Sequence, residues 1–243
     1  MPNFLDTVAE KIFNQAGDKP EEIAVILPSR RAVVFMRQAL ARVYGRTIWS
    51  PHITAVQDFV RDQYGGDFPE NLSLLFRLYE VYRGRMLEID PGWNEPFERF
   101  YPWGEMLLRD FDEVDKYLVD ANELFTNVRD LREIEISFGL SDEDKKAVAQ
   151  FWNTVYPEGD SEEAPSSPTR EQFLFIWGIL KDVYDRFQQS LLDRHQAYDG
   201  MAYRQLAQKA KAKETQFPYS HTFFVGFNAL SKAEQVLMHA ILY

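Results

Sequence analysis

The segment 22-EIAVILPSRRAVVFMRQAL-40 decides the fold. Ile23 to Leu27 is an uninterrupted apolar run rich in β-branched residues, which reads as a strand. Pro28 ends it, Ser29 is a favourable N-cap, and Val33, Met36, Leu40 and Val43 recur at helical spacing through about Tyr44. Strand followed directly by helix is one β-α unit. Arg30 and Arg31 run against local preference, because the first turn of a helix carries unpaired backbone N–H groups and a partial positive charge.

Working outward, residues 4–15 place Leu5, Val8 and Ile12 on one face of an amphipathic helix that comes before the strand. Beyond it, TIWSPHITAVQDFVRDQY repeats the pattern weakly, with a short extended piece ending at Thr54 and a helix from about Val56 to Tyr64. From Asn71 helical periodicity takes over. Leu72, Leu75, Tyr79, Tyr82 and Met86 form one apolar stripe; Phe100, Leu107, Phe111, Val114 and Leu118 form a second; Phe173, Ile176, Leu180, Val183, Phe187 and Leu191 form a third. Residues 156–169, YPEGDSEEAPSSPT, are acidic, rich in Pro and Ser and aperiodic, and read as an exposed loop. After Pro218 the β-α texture returns, with 221-HTFFVGF-227 as a buried strand. A helix capped by Ser231 follows, its core face made of Ala233, Val236, Leu237, Ala240 and Ile241. The order is β-α, a long helical block, then β-α, and a last helix that runs to the last residue suggests a piece of something longer.

A chain of 243 residues buries a sizeable core in one large domain or two smaller ones without staples. It has no cysteine, which excludes disulfides and thiolate chemistry and fits a cytoplasmic setting. No apolar run approaches the ~20 residues of a membrane span, and MPNFLDTVAEKIF lacks the basic start and apolar centre of a secretory signal, so no membrane association is expected. A net charge of −11 argues against indiscriminate binding of nucleic acid, so any DNA contact must be local. The charge is uneven. Between Ile23 and Tyr64 six arginines face two aspartates, a balance of +4, whereas between Glu105 and Lys146 thirteen acids face six bases, a balance of −7.

A parallel sheet invites a search for the phosphate loop GxxxxGK[ST], and none is present. An ATPase also needs an acidic pair at a strand end for Mg²⁺ and the attacking water, but in TFFVGFNALSKAE the first carboxylate after the strand is Glu234, already in the next helix. ATP hydrolysis therefore lacks its groups, and an independent ATPase is disfavoured. His52, His195, His221 and His239 lie in unrelated segments without metal-ligand spacing, so no metal and no cofactor is expected. The run 110-DFDEVD-115 departs from the calcium-loop pattern at Val114 and Asp115 and reads as a solvated helix face. Trp93, Phe97, Phe100, Tyr101 and Trp103 could stack on bases, but with Arg99 alone beside them they read better as a wedge into the helical block.

PSRR remains. Free N–H groups of the first turn, the Ser29 hydroxyl and the guanidinium groups of Arg30 and Arg31 together suit a phosphate, held without any reading of bases. Thr54, at the end of the second extended piece, could add another phosphate contact. The competing explanation is an ion pair between these arginines and an acid of the helical block.

In this order the features resemble the first core domain of a superfamily 1 helicase. LPSRRAVVF matches its DNA-contacting strand and turn, 54-TAVQDF-59 its Thr-x-x-x-Phe element, and the helices of roughly 66–214 its inserted subdomain; 198-YDGMAYRQLAQKA-210 is similar to its Asp-x-x-x-Leu helix. A closer resemblance is to AddB-type subunits of bacterial double-strand-break repair helicase-nucleases and to related PD-(D/E)XK nuclease family proteins. Their Gly-Phe pair and following Glu match Gly226, Phe227 and Glu234. The resemblance implies an incomplete RecA-like parallel sheet of residues 1–65 and 215–243, interrupted by an all-helical insertion of residues 66–214. Val225 and Gly226, or Gly226 and Phe227 if the register slips by one, stand where an active helicase has Asp-Glu, and the phosphate loop is missing, so the implied module is non-catalytic. The nuclease centre of such proteins lies beyond these residues. The implied function is to guide single-stranded DNA, with Ser29, Arg30, Arg31 and Thr54 on phosphates, beside an AddA-type helicase-nuclease subunit. The alternative is a protein-interaction scaffold whose acidic helices dock a partner subunit without touching DNA.

Overall fold

The computed structural model describes residues 3–16, 19–127, 170–215 and 217–242, so the loop read at 156–169 lies outside the described residues, as do the side chains of Phe173 and Ile176. The chain is mixed α/β and mostly helical, with a small parallel sheet of three strands. It divides into two compact units. The first comprises Met1–Phe68, Asp115–Leu118 and Asp199–Tyr243, and the second comprises Pro69–Val114 and Val119–Tyr198.

In the first unit, α1 (Phe4–Ala16) leads through a short 3₁₀ turn into β1 (Ile23–Leu27) and α2 (Arg30–Tyr44), then β2 (His52–Ala55) and α3 (Val56–Tyr64). β1 is the central strand, and all five of its residues are at most 1% exposed. A strand buried on both faces needs no polar alternation, which is why its sequence is continuously apolar. Ile23, Val25 and Leu27 join Ala9 and Ile12 of α1 and Met36, Ala39 and Leu40 of α2 in one core. β2 pairs in parallel with β1 from His52 opposite Ala24 to Ala55 opposite Leu27. β3 (His221–Phe224) pairs on the other side of β1, giving the order β2-β1-β3.

β3 is shorter and more exposed than the buried strand expected at residues 221–227. Among the described residues it has one strand neighbour, and Gly226, two residues after its end, adopts φ +78°. Only Val225 of the following turn is buried, and its N–H donates to the Ile26 carbonyl at 3.0 Å.

The second unit contains α4 (Asn71–Ile89), most of α5 (Phe97–Lys116), α6 (Ala121–Asn127) and α7 (Arg170–Leu192). α4 and α6 both pack on α7. Its core is aromatic: Tyr82 meets Trp93, Phe100 and Trp103 at ring distances of 5.4, 5.1 and 4.9 Å, and Phe111 meets Tyr184 at 5.0 Å. Of the cluster at residues 93–103, Phe100 and Trp103 are buried in this core, Trp93 and Phe97 are half-buried against it, and Tyr101 is exposed, so the wedge expectation holds for the first four. The buried face of α4 is Leu74, Leu75, Leu78, Tyr82 and Met86, rotated from the expected stripe, and Leu72 is half exposed.

The helix α8 (Asp199–Lys211), expected in the helical block, lies in the sheet unit, where it packs on α3 and on α9 (Lys232–Leu242). The last turn of α5 belongs to that unit too. There Asp115 is fully buried, and Arg204 of α8 donates to it through Nε at 2.5 Å. This corrects the reading of residues 110–115 as a uniformly solvated face.

Candidate nucleic-acid interface

Three parallel strands bring their carboxyl ends to one edge, and residues 28–31, 55–58 and 225–231 follow those ends. In open α/β sheets this edge is the usual place for ligands, above all where neighbouring strands connect in opposite directions. Here that position lies between β1 and β3, since β1 leads to β2 on its other side.

Ser29 caps α2 as expected. Its extended backbone, φ −153° and ψ 154°, lets Oγ accept from the Ala32 N–H at 3.2 Å. The N–H groups of Arg30 and Arg31 are left without an intrahelical acceptor. Arg31 is exposed, its guanidinium lies 5.8 Å from the centre of the Phe35 ring, and among the described residues it pairs with no acid.

Arg30 does pair. Its Nε donates to Asp58 at 2.9 and 3.1 Å and its Nη2 at 2.5 Å, a bidentate grip on a carboxylate of α3. The partner comes from the sheet unit and not from the acidic helical block. The Arg30 side chain stays 73% exposed and Asp58 is 29% exposed, so the pair sits at an open edge. The hydrogen bond from Arg30 holds the Asp58 carboxyl below its ordinary range, and the same contact raises Arg30.

Thr54 differs from the expectation of a phosphate contact. β2 continues one residue further than the sequence reading, so Thr54 is inside the paired strand opposite Ile26, and the edge position falls to Ala55. Thr54 is 8% exposed, and its hydroxyl turns to the Ala55 carbonyl at 3.3 Å. Ser29, Arg30 and Arg31 are thus brought together at the edge without it.

Sequence reasoning missed the polar row on α3. Besides Asp58, Gln57 donates to Asp199 at 2.6 Å, and Arg61 donates to the same carboxylate at 2.8 Å while its guanidinium covers the Phe68 ring at 4.7 Å. Asp199 opens α8, where the helix dipole favours an anion. A signal was available: β1 and β2 are adjacent parallel strands, so side chains shortly after each, Arg30 and Asp58, are within reach of one another.

The third segment carries no free carboxylate. Val225 is in the core, and Glu234 forms a capping box with Ser231, accepting from the Ser231 N–H at 2.8 Å while its own N–H donates to Ser231 Oγ at 3.3 Å. Among the described residues no group of His, Asp and Glu is arranged to hold a metal ion, and no helix is long and apolar enough to cross a membrane. The chemistry on offer at the edge is electrostatic: two guanidinium groups, one already engaged, beside a helix N-terminus. No model of a protein family matches the chain, and no curated protein matches it.

Proposed function

We propose that this chain is a non-catalytic, helicase-like module that guides single-stranded DNA in the cytoplasm as part of a repair helicase-nuclease. In this reading the three strands are an incomplete RecA-like sheet, the second unit is the inserted subdomain, and Ser29, Arg30 and Arg31 touch phosphates. The observation that carries it is Arg31, an exposed cation in the first turn of α2 with no acidic partner among the described residues. Local physics disfavours a cation there, and a bound phosphate reverses the sign of that effect. The occupied carboxyl edge of β3, with Val225 in the core and Glu234 in a cap, supports a module without ATP hydrolysis. An AddA-type subunit is the partner that the resemblance brings to this reading.

Arg30 favours the second reading, a protein-interaction scaffold, because its acid Asp58 already accounts for it. Fluorescence anisotropy with labelled single-stranded DNA at two salt concentrations separates the two. If the chain guides DNA, Arg31→Ala weakens binding evenly across sequences and lowers the slope of log affinity against log salt by about 0.7, the value of one single-strand phosphate contact. Unchanged affinity and slope would overturn the DNA reading, and absence of salt-dependent binding by the unaltered chain points to the scaffold.

A further inference from the structure

The strand edge is not the only concentration of positive charge in the first unit. Where the end of α8 meets α9, a cleft of about 560 Å³ is lined by the charged or titratable Lys211, Lys213, Lys232 and His239, by Gln235, and by the apolar Ala210, Val236 and Ala240. Its volume falls in the range of small-molecule sites. In a chain of net charge −11 such a lining is unexpected, and among the described residues no acid pairs with any of its three lysines.

Two of the lysines occupy positions that local preference assigns to other residues. Lys213 adopts φ +60°, the left-handed conformation that follows a helix and favours glycine. The turn is closed around it, with the Lys213 N–H donating to the Ala210 carbonyl at 3.0 Å and the Glu214 N–H to the Lys209 carbonyl at 2.9 Å. Lys232 opens α9, where the dipole disfavours a cation as it does at Arg31. Lys211 alone has an ordinary explanation, since a cation in the last turn of α8 complements the dipole. Glu234, the nearest acid along α9, is turned to the Ser231 cap.

From this geometry we infer that the α8/α9 cleft binds a nucleoside phosphate, with the phosphate on the lysines and the flat body of the ligand over Ala210, Val236 and Ala240. A single carboxylate would leave most of the lysines unmatched, whereas the terminal phosphate of a free nucleotide brings close to two charges and several acceptor oxygens, and a strand brings successive phosphodiesters of one charge each. Apart from Gln235, whose amide donates to the Leu230 carbonyl at 3.3 Å, the rest of the lining is apolar, which suits a base or sugar face better than a bare inorganic ion. Such a ligand comes either as a free nucleotide or as one unit of a single strand. The site uses none of the strand-edge arginines and does not depend on the DNA-guiding reading.

The test titrates the full chain against a fluorescently labelled adenosine nucleotide and, separately, a short labelled oligothymidylate. Lys213→Gly is the decisive variant, because it removes the ammonium group while supplying the residue that φ +60° prefers. Its melting temperature should hold or rise, and its nucleotide affinity should fall about tenfold. Lys232→Gln should show a similar loss. Displacement of the nucleotide by oligothymidylate identifies the strand as the source; binding of the nucleotide without displacement identifies the free ligand. The inference is overturned if neither probe binds the unaltered chain, or if both lysine variants bind as it does. A purely structural lysine at the end of α8 predicts that last result.

Discussion

Replacing Asp58 by Asn tests the strand edge in a direction that the competing explanation does not predict. Arg30, Arg31 and Asp58 together carry one net positive charge, because the bidentate contact between Arg30 and Asp58 cancels one of the two guanidinium charges. Asparagine keeps the size of the side chain and an oxygen that can still accept from Arg30, but it carries no charge. The edge then holds two positive charges, and Arg30 is free to reach a phosphate. One added single-strand contact steepens the salt slope by about 0.7; between about 50 and about 200 mM salt that multiplies the loss of affinity by roughly 2.6. The gain in binding is thus largest at low salt. Glu21→Gln is the matched control: it removes the same charge at the opposite, amino-terminal end of β1. The assay is the anisotropy titration at both salt concentrations, with a thermal melt to show that each variant is folded. If Asp58→Asn leaves the slope unchanged, or changes it no more than Glu21→Gln does, Arg30 contacts no phosphate and its pair with Asp58 is structural.

Two further predictions concern the helical unit. Gly104→Ala gains about 1 kcal/mol of helix propensity, but the new Cβ would lie 2.4 Å from a ring atom of Phe100, which Tyr79, Tyr82 and Trp103 enclose; overpacking should win, for a net loss of about 1–2 kcal/mol. Gly84→Ala on α4, where nothing lies within 4 Å of the added atom, should gain about 1 kcal/mol, and urea melts of the pair read the contrast directly. Burial pushes the Glu95 carboxyl above its ordinary range, so its contribution is fully present below the unfolded value and is lost as pH rises through the folded one. Glu95→Gln should therefore unfold at a higher urea concentration than the unaltered chain at pH 7 and at nearly the same one near pH 4, and equal midpoints at both would refute the assignment.

What the sequence made legible follows from how local each signal is. β1 and α2 were readable to the residue because a β-branched run, a proline and a capping serine each act on their own few neighbours, and no distant contact contradicts them. The face of α4 was not, because Leu72, Leu74, Leu75, Phe76 and Leu78 spread apolar residues over about 200° of the helix circumference, wider than one buried face. Periodicity then names no unique face, and in the folded unit Leu74, Leu75 and Leu78 are the buried ones. The place of α8 was hidden for a related reason. Its amphipathic pattern fits either unit, and what ties it to α3 is the reach of Gln57 and Arg61 to Asp199 across more than 130 residues of chain.

The candidate edge divides along the same line. Ser29 could be assigned a role from its neighbours alone, whereas the state of Arg30 depends on where another strand ends. β2 runs one residue beyond Thr54, which keeps Thr54 inside the paired strand, and Asp58 on the helix that follows meets the guanidinium. Asp115 shows that such pairings leave a trace. It stands four residues after Phe111 and eight after Leu107, on the buried stripe of α5, and a carboxylate on an apolar stripe requires a partner. Arg204 supplies one from α8. Arg31 and Lys232 pose the same demand with opposite charge, since each is a cation at the start of a helix that repels it and neither meets an acid among the described residues. The Asp115 pair shows an unfavourably placed charge answered from within the chain; at Arg31 and Lys232 no described acid gives that answer, and a phosphate from outside is what the two binding proposals supply.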